Sequence, residues 1–217
     1  MNIISKAVSL IGRSAGRPPS YAINLKSKQI RTIDQFFKTA KTSPPCPKSS
    51  ISIDLGCGNI PRNPLNCNTA QGIDIAPSPK QNVIGVDLLT SPIPYPDQCA
   101  DVVTAYDFIE HVPRCAITAS GTVFPFVGLM SEIYRVLKPG GLFFSKTPAY
   151  PSSNAFVDPT HVNVITEDTF ATYFCNDQFH PLAAQYGFKG EFKMIQQRWW
   201  GGGWLLTLIQ KPTEHVT

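Results

Sequence analysis

Residues 51–59 read Ile51-Ser52-Ile53-Asp54-Leu55-Gly56-Cys57-Gly58-Asn59. The first five make a strand-length run rich in apolar and β-branched residues. The two glycines that follow let the backbone turn sharply and approach a ligand closely. A strand that ends in an acid and runs into such a turn opens an α/β sheet whose ligands sit at the carboxyl ends of the strands. Further strand-like runs stand at 71–75 (QGIDI), 83–88 (VIGVDL), 101–106 (DVVTAY) and 142–147 (LFFSKT). Between the last two, Phe126, Leu129, Met130, Ile133 and Leu137 recur at helical spacing, stopped by Pro139-Gly140-Gly141. A helix crossing between two buried strands requires a parallel pair. Residues 166–175 predict another helix, with Thr166 as its cap and Glu167 and Asp168 at its positive end. Residues 192–200 and 204–210 flank Gly201-Gly202-Gly203 and predict an antiparallel hairpin. The expected fold is α/β, a doubly wound sheet that is mostly parallel and is finished by a C-terminal antiparallel hairpin.

Upstream of this frame the chain changes character. Residues 13–27 are turn-rich. Residues 28–40 place Ile30, Ile33, Phe37 and Ala40 at helical spacing, and residues 41–50 hold three prolines and read as a linker. The division expected is a basic extension over 1–50 and a domain over 51–217. Residues 1–50 carry nine Lys/Arg against one acid (+8), and residues 51–217 carry ten against fourteen (−4). A solvated extension accounts for this, or a surface for phosphate, nucleic acid or anionic lipid. With 42% hydrophobic and 16% charged residues over 217 positions, wholesale disorder is excluded. No stretch approaches the roughly 20 apolar residues of a membrane span. No signal peptide is read, so the cytoplasm is the expected compartment. The six cysteines form no CxxC pair and read as reduced thiols filling the core.

The acids at the strand ends are the chemical signal. Asp54 is followed twenty residues later by Asp74, which is placed to take both hydroxyls of a ribose. Asp87 ends the third run, where its carboxylate can accept from an adenine amino group, and Asp107 follows the fourth. Asp also forms turns, which is the plainer explanation of any one of them. So many carboxylates disfavour a pyrophosphate and favour a cationic sulfonium cofactor carrying ribose and adenine.

With ISIDLGCGN, GIDI, PIPYPDQCADVVTAYDFIEHV and EIYRVLKPGGLFF in place, the chain over about residues 50–150 resembles the class I S-adenosylmethionine-dependent methyltransferases, and their type 11 group in particular. The resemblance implies a seven-stranded Rossmann-like sheet with S-adenosylmethionine at the strand ends. It implies that Gly56 and Gly58 line the cofactor, that Asp74 holds the ribose, and that Asp87 with Leu88 meets the adenine. Asp54, Ile75, Tyr106 and Asp107 complete the expected cofactor set. The sequence departs from the family pattern where Ile60 replaces a third glycine. There the run 59–64 (NIPRNP), with two prolines, replaces the start of a regular helix.

Segment 107–111 (DFIEH) and the loop 147–163 (TPAYP through DPTHVN) are expected to meet over the transferable methyl group. Methyl transfer to oxygen needs a base for the hydroxyl proton, so His161 is the leading candidate and His111 the second. The plainer alternative makes both of them loop-bracing side chains. If 107–111 is helical, Asp107, Glu110 and His111 share a face at i, i+3 and i+4. With His161 they would form a set for a divalent cation such as magnesium. This resembles the ExxEH-plus-distal-His arrangement of ubiquinone-pathway O-methyltransferases and small-RNA 2′-O-methyltransferases, with Asp in place of the first Glu. Tyr150, Arg114 and Asp158 are expected near the substrate. Trp199, Trp200 and Trp204 form either an aromatic wall or the closed edge of the sheet. The functions expected are O-methylation of a small molecule or glycan, methylation of RNA or a peptide held by the basic extension, or a catalytically silent cofactor-binding subunit. Relatives with a TP…DPTHVN-like segment imply secondary-metabolite or surface-polysaccharide tailoring.

Overall fold

The structure is a computed structural model that describes residues 29–41, 48–175 and 181–213. The basic segment before residue 29, the predicted loop 13–27 and most of the proline-rich linker lie outside the described residues.

The strands are β1 (Gln29–Ile30), β2 (Ile51–Leu55), β3 (Thr69–Asp74), β4 (Val83–Gly85), β5 (Ala100–Tyr106), β6 (Ala116–Thr118), β7 (Gly121–Val123), β8 (Leu137–Pro148), β9 (Lys193–Trp200) and β10 (Trp204–Gln210). The α-helices are α1 (Ile33–Ala40), α2 (Pro125–Val136) and α3 (Glu167–Phe174). The main sheet runs β1-β9-β10-β8-β5-β2-β3-β4. The seven long-expected strands are joined at one edge by the two-residue β1, parallel to β9. Strands β4, β3, β2, β5 and β8 are mutually parallel, and β10 pairs antiparallel with both β8 and β9. The order reverses at β2, between β3 and β5, so the crevice at the switch point opens above residues 55–58.

All seven residues of β5 are buried, because helices cover both faces of the sheet at its centre. One face packs Phe126, Met130, Ile133, Phe170 and Phe174 of α2 and α3 against Val103 and Phe143. The other packs Phe36 and Phe37 of α1 against Tyr106, Phe144 and Leu206.

Several boundaries move from their expected places. Helix α1 begins at Ile33 rather than near 28, because the Thr32 hydroxyl accepts the Gln35 N–H at 3.1 Å and sets the start. Its buried face is Phe36 and Phe37. Helix α2 stops at Val136, and Leu137 already belongs to β8. Pro139 has no N–H to give a helix and disfavours helical backbone just before it. Helix α3 starts as expected, with the Thr166 hydroxyl accepting from Asp168 N–H. Strand β4 ends at Gly85, so Asp87 lies two residues beyond it. No helix forms between β2 and β3, as the prolines at 61 and 64 demand. The small exposed hairpin β6–β7 carries no apolar alternation and was not expected. Of the cysteines, Cys57, Cys67 and Cys175 are buried, whereas Cys115 is exposed. Among the described residues, no helix is long and apolar enough to cross a membrane.

Candidate active site

The turn after β2 places Gly56 and Gly58 in the left-handed region, at φ 61° and 64°. A side chain at Gly56 would run into the Phe108 ring, so glycine is needed there on both counts. The turn is pinned by acids. Asp74 Oδ2 accepts Gly58 N–H at 2.8 Å, and its Oδ1 accepts Ala76 N–H at 3.1 Å. Asp87 Oδ1 accepts Leu89 N–H at 2.9 Å. Both acids therefore form turns, and both also line a cavity of about 310 Å³ with Gly56, Ile75, Leu88, Asp107, Phe108 and His111. Among the described residues, no Lys or Arg lines this cavity. Carboxylates that accept hydroxyls beside an apolar floor suit a ribose and a flat base, and the negative lining suits a cationic centre.

Asp54 has a different place. It is fully buried, accepts the Thr104 hydroxyl at 2.6 Å and Arg62 N–H at 2.8 Å, and does not line the cavity. Burial pushes its carboxyl up to about 6, against the opposing pull of those two hydrogen bonds. Its work is to fasten the irregular segment 59–64 to the sheet. Tyr106, also expected at the cofactor, is buried against Phe144 and beneath Arg62.

Beyond β5, Asp107 takes φ 50°, and residues 109–111 form one tight 3₁₀ turn. The segment is not the α-helix that would put Asp107, Glu110 and His111 on one face. The donor atoms of Glu110, His111 and His161 lie within 4.8 Å of one another, and Asp107 is not in the group. Its carboxylate is committed elsewhere, to Lys146 Nζ at 2.5 Å and Trp204 Nε1 at 2.7 Å.

The loop carrying His161 is stitched to this turn. The Glu110 carbonyl accepts Val162 and Asn163 N–H, each at 2.9 Å, and Asn163 Nδ2 donates to the Ile109 carbonyl at 3.1 Å. Thr160 Oγ1 donates to Asp158 Oδ1 at 2.6 Å and lies 3.0 Å from His111 Nδ1. With its proton on Asp158, the hydroxyl must accept from His111 Nδ1–H, which assigns the free lone pair of neutral His111 to Nε2. The His111 and His161 rings meet edge to face at 4.9 Å. The His161 side chain is only 10% exposed, and its Nδ1 is buried without a partner. Glu110 is buried and accepts the Thr147 hydroxyl at 2.7 Å; burial raises its pKa.

Arg114 braces the same loop, with Nε donating to Asn163 Oδ1 at 2.7 Å and Nη2 to the Val164 carbonyl. It also lines a mainly apolar cavity of about 500 Å³ beside Phe124, Phe126 and Tyr186. Tyr150 is exposed and lines none of these cavities.

On the other side of Asp107 a cavity of about 440 Å³ is lined by Arg62, Tyr106, Lys146 and Trp200. The three tryptophans divide between the two roles expected of them. Trp199 is core, with Nε1 donating to Glu167 Oε1 at 2.7 Å. Trp200 and Trp204 flank Lys146, with ring centroids 5.4 and 4.9 Å from its Nζ.

Residues 53–145 match the family model described as "Methyltransferase domain". Over this span the chain carries an S-adenosylmethionine-dependent methyltransferase domain. S-adenosylmethionine is its cofactor. No curated protein sequence matches the chain. Among solved structures, the methyltransferase is similar to a putative sarcosine dimethylglycine methyltransferase from Galdieria sulphuraria, at TM-score 0.53 and 14% identity over 83% of this chain and 85% of that one. It is also similar to a SAM-dependent methyltransferase from Archaeoglobus fulgidus, at TM-score 0.50 and 15% identity over 82% and 93%. A third similar structure is the cyclase SpnF, at TM-score 0.52 and 13% identity over 83% and 81%. At these identities the likeness establishes the fold, and the cyclase shows that the fold alone does not dictate the reaction.

Four residues of this methyltransferase's site were missed in the sequence: Arg62, Lys146, Thr147 and Phe108. A signal existed for Lys146, a charged residue within an apolar run (LFFSKT) that ends where the loop 147–163 begins. None existed for Phe108, whose part is to sit over Gly56.

Proposed function

We propose that this methyltransferase binds S-adenosylmethionine in the acid-lined cavity, with Asp74 on the ribose hydroxyls and Asp87 and Leu88 at the adenine. The methyl group passes to a hydroxyl oxygen of a small molecule or glycan. The observation that carries the transfer is the Asp158–Thr160–His111 chain. It orients His111, which lines the cofactor cavity, with an unprotonated Nε2 available as base. His161 is the first candidate in the sequence, but its ring packs edge to face on His111 and it does not line that cavity. Its role in this reading is to back the His111 ring. The base takes the hydroxyl proton as the oxygen attacks the methyl carbon in line with the departing sulfur, and S-adenosylhomocysteine leaves.

A second reading is favoured by the unpartnered Nδ1 of His161 within the Glu110–His111–His161 group. Without Asp107 the donors are one carboxylate and two imidazoles. That set fits a borderline cation such as manganese, iron or zinc better than magnesium. Held by these three residues, such a cation would lower the pKa of a bound hydroxyl.

Incubation with methyl-labelled S-adenosylmethionine and a cell extract fractionated into RNA, protein, glycan and small molecules tests both readings. Label in the glycan or small-molecule fraction is expected. Loss with EDTA and recovery with manganese or zinc would establish the cation. Label in RNA or protein would overturn the substrate class and give the basic residues before 51 the part of a binding surface.

A further inference from the structure

The cavity on the far side of Asp107 has a chemistry opposite to that of its neighbour. Its lining offers two cations, Arg62 and Lys146, against one acid, Asp107, and its walls include Tyr106 and Trp200. The two cations are not equivalent. Lys146 Nζ is spent on Asp107 Oδ2 at 2.5 Å. The Arg62 guanidinium makes no hydrogen bond within the described residues. Its ion-pair distance to Asp54 Oδ2 is 3.7 Å, and that oxygen already accepts Arg62's own N–H. The guanidinium lies 4.8 Å from the centre of the Tyr106 ring, and its side chain is half exposed.

The placement is rigid. Pro61 precedes Arg62, Pro64 follows two residues later, and the Arg62 backbone is tied to buried Asp54. The departure from a glycine-and-helix pattern at 59–64 thus delivers a guanidinium fork to the cavity. A planar fork of donors matches a carboxylate with two parallel hydrogen bonds. The fork also matches a phosphate, but a second negative charge would call on a cation beyond Arg62, which is already shared with Asp54 at 3.7 Å, and Lys146 is spent on Asp107.

We propose that this cavity is a carboxylate-binding site in which Arg62 grips the anion between the flat walls of Tyr106 and Trp200. The inference rests on the reading of the acid-lined cavity as the nucleoside site. Because the two cavities meet at Asp107, the carboxylate has two sources: the amino-acid end of the cofactor, or the acceptor molecule.

The test compares wild type, Arg62→Ala and Arg62→Lys by isothermal titration with three probes. These are S-adenosylhomocysteine, 5′-methylthioadenosine (which lacks the carboxylate), and indole-3-acetate added to the S-adenosylhomocysteine complex. If the cofactor supplies the carboxylate, Arg62→Ala weakens S-adenosylhomocysteine about 10- to 100-fold and leaves methylthioadenosine unchanged. If the acceptor supplies it, both nucleosides bind Arg62→Ala normally, and indole-3-acetate binds wild type but not the variant. Unchanged affinity for all three probes overturns the proposal. Methylthioadenosine also reports whether Arg62→Ala folds. Should it fail to fold, Arg62→Lys keeps the charge without the fork, and a partial loss is expected, with full retention overturning the inference. If wild type binds neither nucleoside, the cofactor reading fails, and indole-3-acetate titrated into the free proteins then decides this one: binding to wild type but not to Arg62→Ala supports it, and equal or absent binding overturns it.

Discussion

The two cavities that share Asp107 are built by opposite means. The acid-lined one is local. Asp74 and Asp87 accept hydrogen bonds from backbone N–H groups two residues on or in the turn after β2, and Gly56 N–H donates to the Ile73 carbonyl. The cationic one is assembled from residues 62, 106, 146 and 200, which share no motif and are brought together by sheet order. Asp107 is the partition. Lys146, which lines the cationic cavity, and Trp204 hold its carboxylate, while its backbone turns the chain toward His111. Sites made from strand ends show in a sequence as spacing, whereas sites made across strands show only in the fold.

This comparison can be broken from either side. The largest effect is expected at the reacting end. His111→Ala should lower methyl transfer about 10²- to 10⁴-fold, with S-adenosylhomocysteine affinity nearly intact. Transfer that survives with affinity lost would move His111 into the cofactor site. Next, Asp74→Ala should weaken S-adenosylhomocysteine by roughly 100-fold, the worth of two hydrogen bonds to a charged group. Calorimetry showing an unchanged affinity would remove Asp74 from the ribose.

Third is Asp54, whose carboxyl rises from 3.8 to about 6 in the fold. Between those values the folded chain holds a proton that the unfolded chain has released, so this group's contribution to stability falls as pH rises through the window. Relative to Asp54→Asn, wild type should lose about 2 kcal/mol between pH 4 and pH 6 and about 0.4 kcal/mol more by pH 8, where the loss levels off. Denaturant titrations across that range that run parallel for the two proteins would contradict the burial. The smallest effect belongs to Trp204→Phe, which removes one hydrogen bond to Asp107. About 1 kcal/mol and a fall of roughly 2–4 °C in the melting temperature are expected.

How much of this was readable follows from the same contrast. The parallel core, its closing hairpin and the Thr166 cap are written in local patterns of apolar spacing and capping residues. So are the acids of the acid-lined cavity, although two of the four strand-end acids point elsewhere than spacing alone implies. Asp54 stands in the right register but faces the interior, because position 54 of β2 points to Thr104 on the neighbouring strand. Asp107 was grouped with Glu110 and His111 on the assumption of helix. The left-handed φ at Asp107 and the 3₁₀ turn after it rotate the carboxylate to the other cavity instead. The order of the two histidines depended on which one faces the cavity, and spacing carries no information on that. The edge strand β1 and the hairpin β6–β7 are too short and too polar to leave a periodic trace.

The most direct measurement is a crystal structure of the protein with S-adenosylhomocysteine bound. The ribose hydroxyls are expected within hydrogen-bond distance of the Asp74 carboxylate, the adenine beside Asp87 and Leu88, and the sulfur toward Asp107 and His111. A nucleoside bound in the cationic cavity, or with its adenine at His111 and its amino-acid end at Asp87, would contradict the division of the site at Asp107.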